Sequence, residues 1–182
     1  PMVFWLLDYR VGRYFTWVTV GGVAAGNMVK DLFLLPRPPS TLVWRPSGAA
    51  AADSTALRDC GFPSTHSASA VSNPGIIIIL LMWEGVLGPG NWLATAGATA
   101  LGVLYAAQLC FSRLYLGVHS PIDIQGGAAL GIIVLVVAHT TFPALDEFIF
   151  TSPHVWAIWF LGSVLMLIAQ PQPRPSTPTF IH

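Results

Sequence analysis

Apolar runs close to twenty residues long dominate this chain and constrain its fold more than any other feature. A bilayer core about 30 Å thick is crossed by roughly 17–25 predominantly apolar residues in helical form. Stretches of that kind cover about Tyr14 to Val29, Ser67 to Leu87, Trp92 to Phe111 and Ile122 to Thr141, with a shorter one from Val155 to Ala169. Only 9% of the 182 residues are charged, against about 25% in soluble domains. The expected architecture is therefore an all-α, polytopic bundle of transmembrane helices with about five spans. Lys and Arg together number eight and balance eight Asp and Glu, so nothing in the charge suggests nucleic acid as a partner. Cys60 and Cys110 cannot build a disulfide scaffold and stand in no metal-ligand spacing.

The chain opens at Pro1 inside an apolar run with no cleavage pattern, which reads as a piece of a longer chain. Residues 1–170 are expected to form the membrane core, incomplete at its N-terminus, and 171–182 a polar, Pro-rich tail too poor in apolar residues to pack. Small residues four apart, Gly22 and Gly26, Ala98 and Gly102, Gly127 and Gly131, mark places where helix backbones can approach in lipid. The longest connection runs from about Pro36 to Pro63. Counting crossings puts it on the same membrane face as the Ser112–Pro121 connection, with Gly88–Asn91 and Phe142–His154 on the other.

Ionisable groups are costly near a membrane interior, so their positions carry information. They fall in three clusters. Lys30 and Arg37 are seven residues apart across Pro36, and taken alone they read as two cations snorkelling to an interface. Ser64, Thr65 and His66 open the second span. Ser64 can be a simple N-cap, or the helix start can offer N–H and O–H donors to a phosphoryl group. In the third cluster, Ser112, Arg113, His119 and Asp123, the segment Ser120-Pro121 suits a helix start with Asp123 closing a capping box. Four-residue spacing also lets Asp123 hold one nitrogen of His119, as an orienting acid holds a nucleophile or base. All three clusters lie on one face. Together they describe a phosphate site: three cations, hydroxyl and backbone donors, and two imidazoles.

In that order, K-x6-R-P (Lys30, Arg37), P-S-x-H (Ser64, His66) and S-R-x5-H-x3-D (Arg113, His119, Asp123) resemble the three-part signature of the type 2 phosphatidic acid phosphatase superfamily. The resemblance implies Lys30, Arg37 and Arg113 as phosphate-binding residues, with Ser64 also in contact. It implies His119 as nucleophile, Asp123 as its orienting partner and His66 as the acid that protonates the leaving group. Thr65 stands where the family usually has Gly, and it still offers a backbone N–H to the phosphate. The segments PRPPS, PSTHS and SRLYLGVHSPIDIQGG are most similar to the sphingosine and dihydrosphingosine 1-phosphate phosphatases. That branch implies an endoplasmic reticulum membrane protein with a lumenal site and a phosphorylated lipid as partner. Three fixed cations can neutralise phosphoryl charge, so no metal or other cofactor is expected. Transfer to an alcohol instead of water, a broader lipid phosphate range, and a non-catalytic lipid-phosphate-binding or transport role are the alternatives. His139, His154 and His182 match no motif and read as interface residues.

Overall fold

The computed structural model describes residues 9–39, 42–46 and 60–169. The expectations for the 171–182 tail lie outside them. Five helices follow in order: α1 (Tyr9–Phe33), α2 (Thr65–Trp83), α3 (Trp92–Tyr115), α4 (Pro121–Thr151) and α5 (Val155–Ala169), with a 3-10 turn at Pro89–Asn91 before α3. The one β feature among the described residues is an isolated antiparallel bridge between Pro36 and Cys60. Three segments are long and apolar enough to cross a membrane: Thr65–Trp83, Pro89–Tyr115 and Pro121–Thr151. α1 has the length but is more polar, and α5 is apolar but only 15 residues long. The protein is thus a helical, multi-pass membrane bundle.

α1 is longer than the expected Tyr14–Val29 at both ends, and α3 runs past the expected Phe111 to Tyr115. Two further departures have a visible cause. The second span was expected to reach Leu87, but α2 stops at Trp83 because Gly85, at φ +70°, turns the chain. Val86 N–H donates to Leu81 O and Gly85 N–H to Met82 O, the paired bonds that close a helix on a left-handed residue. The fourth span was expected to end near Thr141, before Pro143. α4 instead runs through Pro143 to Thr151, which shrinks the expected Phe142–His154 connection to three residues. Packing outweighs the lost backbone bond. Phe142 is buried against Tyr14, ring centroids 4.7 Å apart, and Arg13 grips Asp146 one turn further on.

α1, α2 and α4 form the tight centre, while α3 packs chiefly on α2. Glycines make this possible. A Cβ at Gly127 would run into the carbonyl of Ser64, and one at Gly131 into that of Ala68, so α2 and α4 meet backbone to backbone. Gly26 and Gly22 receive Thr65 and Val134, and Gly102 receives Pro74 of α2. Exposed large side chains such as Leu101, Leu104 and Ile133 cover the outside, as a lipid-facing surface requires.

Candidate functional site

Successive helices run in opposite directions, so one end of the bundle gathers the C-termini of α1 and α3 and the N-termini of α2 and α4. Helix dipoles favour cations at the first pair and leave unpaired N–H groups at the second. Lys30 and Arg113 occupy the last turns of α1 and α3. Ser64 and Ser120 cap α2 and α4. The two caps are tied together, because Ser64 N–H donates to the carbonyl of Asp123 at 3.0 Å. Residues 59 apart in sequence are thereby neighbours, as the crossing count anticipated.

Beyond α1 the chain folds back over this end. Leu34, at φ +51°, is a non-glycine residue in the left-handed region, a conformation that costs about 1–3 kcal/mol and persists where its surroundings fix it. Gly61 N–H donates to Leu35 O at 2.8 Å, and Arg37 Nη1 donates to Val118 O at 3.0 Å, so the strap from Leu34 onward is pinned to the entry of α2 and to the α3–α4 loop. Gly61 is confined between Asp123 Oδ2, Pro36 O and the Arg37 backbone, where a Cβ would approach each within 3.1–3.2 Å. Gly117, at φ +65°, makes the turn that delivers His119.

His119 lies in that loop, 5% exposed, with Nδ1 3.6 Å from Asp123 Oδ2. The separation is an ion-pair distance rather than a hydrogen bond, and Nδ1 is buried with no hydrogen-bond partner among the described residues. The same carboxylate oxygen accepts Ser120 N–H at 2.7 Å while Asp123 N–H donates to Ser120 Oγ at 3.2 Å. The capping box and the His–Asp pairing are both present in one carboxylate. Burial first, then the charge of Arg37, push the His119 imidazole down to about 4, against the upward pull of Asp123. The ring is therefore neutral over the physiological range, the form in which a nitrogen lone pair is available.

Ser64 is fully buried; its Oγ accepts from Ser67 N–H at 3.3 Å and from Ser67 Oγ at 3.0 Å. The N-cap reading is thus realised, and the hydroxyl proton stays available for another acceptor. Thr65 is the first residue of α2, its methyl seated on Gly26. His66 is exposed, and Arg113, Lys30 and Arg37 all act on it electrostatically. Arg113 is half-buried with Nε unpartnered among the described residues. All eight singled-out residues therefore converge on one end. Sequence reasoning missed Ser67, the Val118 carbonyl and Gly61. Only Ser67 left a signal, three residues after the cap.

Among the described residues, no group of three His, Cys, Asp or Glu could hold a metal ion. A cavity of about 660 Å³ lined by Met82, Pro89, Trp92, Thr95 and Thr99 lies at the opposite end and contains none of these side chains.

The family model of the PAP2 superfamily matches residues 11–147, the segment that holds every residue of this site. The chain belongs to the PAP2 superfamily. It is 31% identical to lipid phosphate phosphatase delta of Arabidopsis thaliana over 99% of this chain and 42% of that protein. To a dihydrosphingosine 1-phosphate phosphatase of Saccharomyces cerevisiae it is 29% identical over 86% of this chain and 37% of the relative. To sphingosine-1-phosphate phosphatase 1 of Rattus norvegicus it is 28% identical over 81% and 32%. The chain thus spans well under half the length of these curated relatives. No solved structure matches it.

Proposed function

We propose that this protein is a lipid phosphate phosphatase acting on the phosphate monoester of a sphingoid long-chain base. The observation that carries the reading is a buried His119 backed by Asp123 at 3.6 Å, with the charges of Arg37 and Lys30 acting on it from two separate segments and that of Arg113 acting on the neighbouring His66. Lys30, Arg37 and Arg113 take the phosphate oxygens, helped by the N-terminus of α2 with Ser64 and Thr65. Asp123 faces Nδ1, so Nε2 is the attacking nitrogen. It forms a P–N bond in line with departure of the ester oxygen, which takes a proton from His66. Water then attacks phosphorus, His66 accepts its proton, the P–N bond breaks, and inorganic phosphate leaves. Asp123 stabilises the imidazolium between the two steps. Similarity to phosphatases named for sphingosine and dihydrosphingosine 1-phosphates supports the substrate class. The same reading assigns the protein to the endoplasmic reticulum membrane, with the site on the lumenal side. The bundle serves the reaction by leaving the hydrocarbon chain in lipid while the phosphate enters the polar end.

The test is phosphate release from a sphingoid base 1-phosphate and from phosphatidic acid by purified protein in EDTA, with and without an alcohol acceptor. Hydrolysis of the first in EDTA is expected, and none by His119→Ala. Turnover by His119→Ala, or a requirement for added metal, would overturn the mechanism. A phosphate ester of the added alcohol, formed in place of inorganic phosphate, would reassign the protein as a transferase, and binding without turnover as a carrier.

A further inference from the structure

α2 shows a different neighbour on each side. Thr65, Ile76 and Trp83 face α1, meeting Gly26, the Tyr14–Val18 cluster and the Tyr14 ring. Gly75 faces Leu135 of α4, and Pro74 and Ile78 face Gly102 of α3. α1 and α3 pack on α2 rather than on each other. One strip of α2 is left between them, headed by the exposed His66 and continuing to Ile77, 50% exposed, and Glu84. At 3.6 residues per turn, Ser69 and Asn73 fall within about 60° and 20° of His66 on this strip, about 4.5 and 10.5 Å further along the helix.

Both side chains have unused hydrogen-bonding capacity. Thr16, Thr99, Thr140 and Ser163 spend their hydroxyls on the carbonyl four residues back. The Ser69 hydroxyl makes no hydrogen bond to any of the described residues. The Asn73 Oδ1 is buried and unpartnered, and so is the Thr19 hydroxyl. Thr19 lies between the α1 residues that meet Trp83 and Thr65, and so at the depth of Asn73. Unsatisfied polar groups in a membrane-spanning helix are costly unless something pairs with them. The strip starts at the group assigned to protonate the leaving oxygen, and side chains lean toward the helix N-terminus, so Ser69 reaches toward the atoms next to that oxygen and Asn73, about 6 Å further along, toward the groups beyond them.

We propose that this strip seats the substrate's chain, and that Ser69 and Asn73 determine specificity by pairing with amino and hydroxyl groups on its first carbons. The inference rests on the phosphatase reading above. It calls for a long-chain phosphate bearing hydrogen-bond donors close to the ester, over a plain alkyl phosphate of equal length.

The experiment measures kcat/KM of the full-length protein in detergent micelles for a sphingoid base 1-phosphate and for the n-alkyl phosphate of the same length. Wild-type protein should prefer the first. Ser69→Ala and the isosteric Asn73→Leu should each lower the ratio about five- to tenfold, the worth of one hydrogen bond. An unchanged ratio in both variants, or no wild-type preference while both substrates turn over, overturns this proposal and leaves the phosphatase reading standing. Turnover of neither substrate by wild type overturns the phosphatase reading and this inference with it.

Discussion

The two ends of the bundle handle their few charges in opposite ways. At the end away from the site, Arg13 makes a two-pronged contact with Asp146, at 2.7 and 3.1 Å, and its guanidinium also lies 4.6 Å from the Phe150 ring. Arg10 adds a longer contact to the same carboxylate and sits over Trp83, which stacks on Tyr14 and His139. Among the described residues, acidic groups outnumber basic ones there, Glu84, Asp146 and Glu147 against Arg10 and Arg13. At the site end, among the described residues, Lys30, Arg37, Arg45 and Arg113 outnumber Asp31 and Asp123. One end uses charge to tie helices together. The other collects positive charge around a carboxylate already engaged by a helix cap and an imidazole, and the surplus suits an anionic ligand.

The contrast can be tested by perturbing each end separately. The largest effect is expected from Asp123→Asn. An amide oxygen can still accept Ser120 N–H, so the start of α4 survives while the charge behind His119 is lost. Turnover of a lipid phosphate should fall by about 10²- to 10⁴-fold with little change in thermal midpoint, and an equal loss of both would show that Asp123 acts through folding alone. Asp146→Asn should do the reverse. Leaving Arg13 half-buried beside a neutral partner should cost about 1–3 kcal/mol, a drop of several degrees in the midpoint, with kcat unchanged; a lost kcat would erase the distinction between the ends. The smallest effect is on pH. His119 must be neutral to attack, so kcat/KM should rise with pH through the value of about 4 once ionisation of the monoester, near pH 6, is allowed for. Arg37→Gln removes a charge that disfavours the imidazolium, so the limb should move upward. A limb that stays put would mean that Arg37 does not face His119 electrostatically.

Much of the site could be read from residue order alone, because its parts are local: a cation in a helix's last turn, a cap at a helix start, a carboxylate four residues after an imidazole. Counting crossings was enough to bring the parts to one end. The opposite end was not legible in this way. Arg13 and Asp146 are 133 residues apart, and no local spacing links them. Pro143 was misleading for the same reason: its local rule says stop, and the packing of Phe142 on Tyr14 overrides it. Gly61 carries no motif at all, since its requirement comes from the Asp123 carboxylate and the Pro36–Arg37 backbone pressing on it from elsewhere in the chain.

The contact between Thr65 and Gly26 makes the two positions one unit. A Cβ at position 26 would stand 2.6 Å from the Thr65 methyl, so a side chain at position 26 and a threonine at the mouth of α2 compete for the same space. Grafting the Ser64–Thr65–His66 segment onto a bundle without that glycine would press α1 away from α2 one helical turn from Lys30.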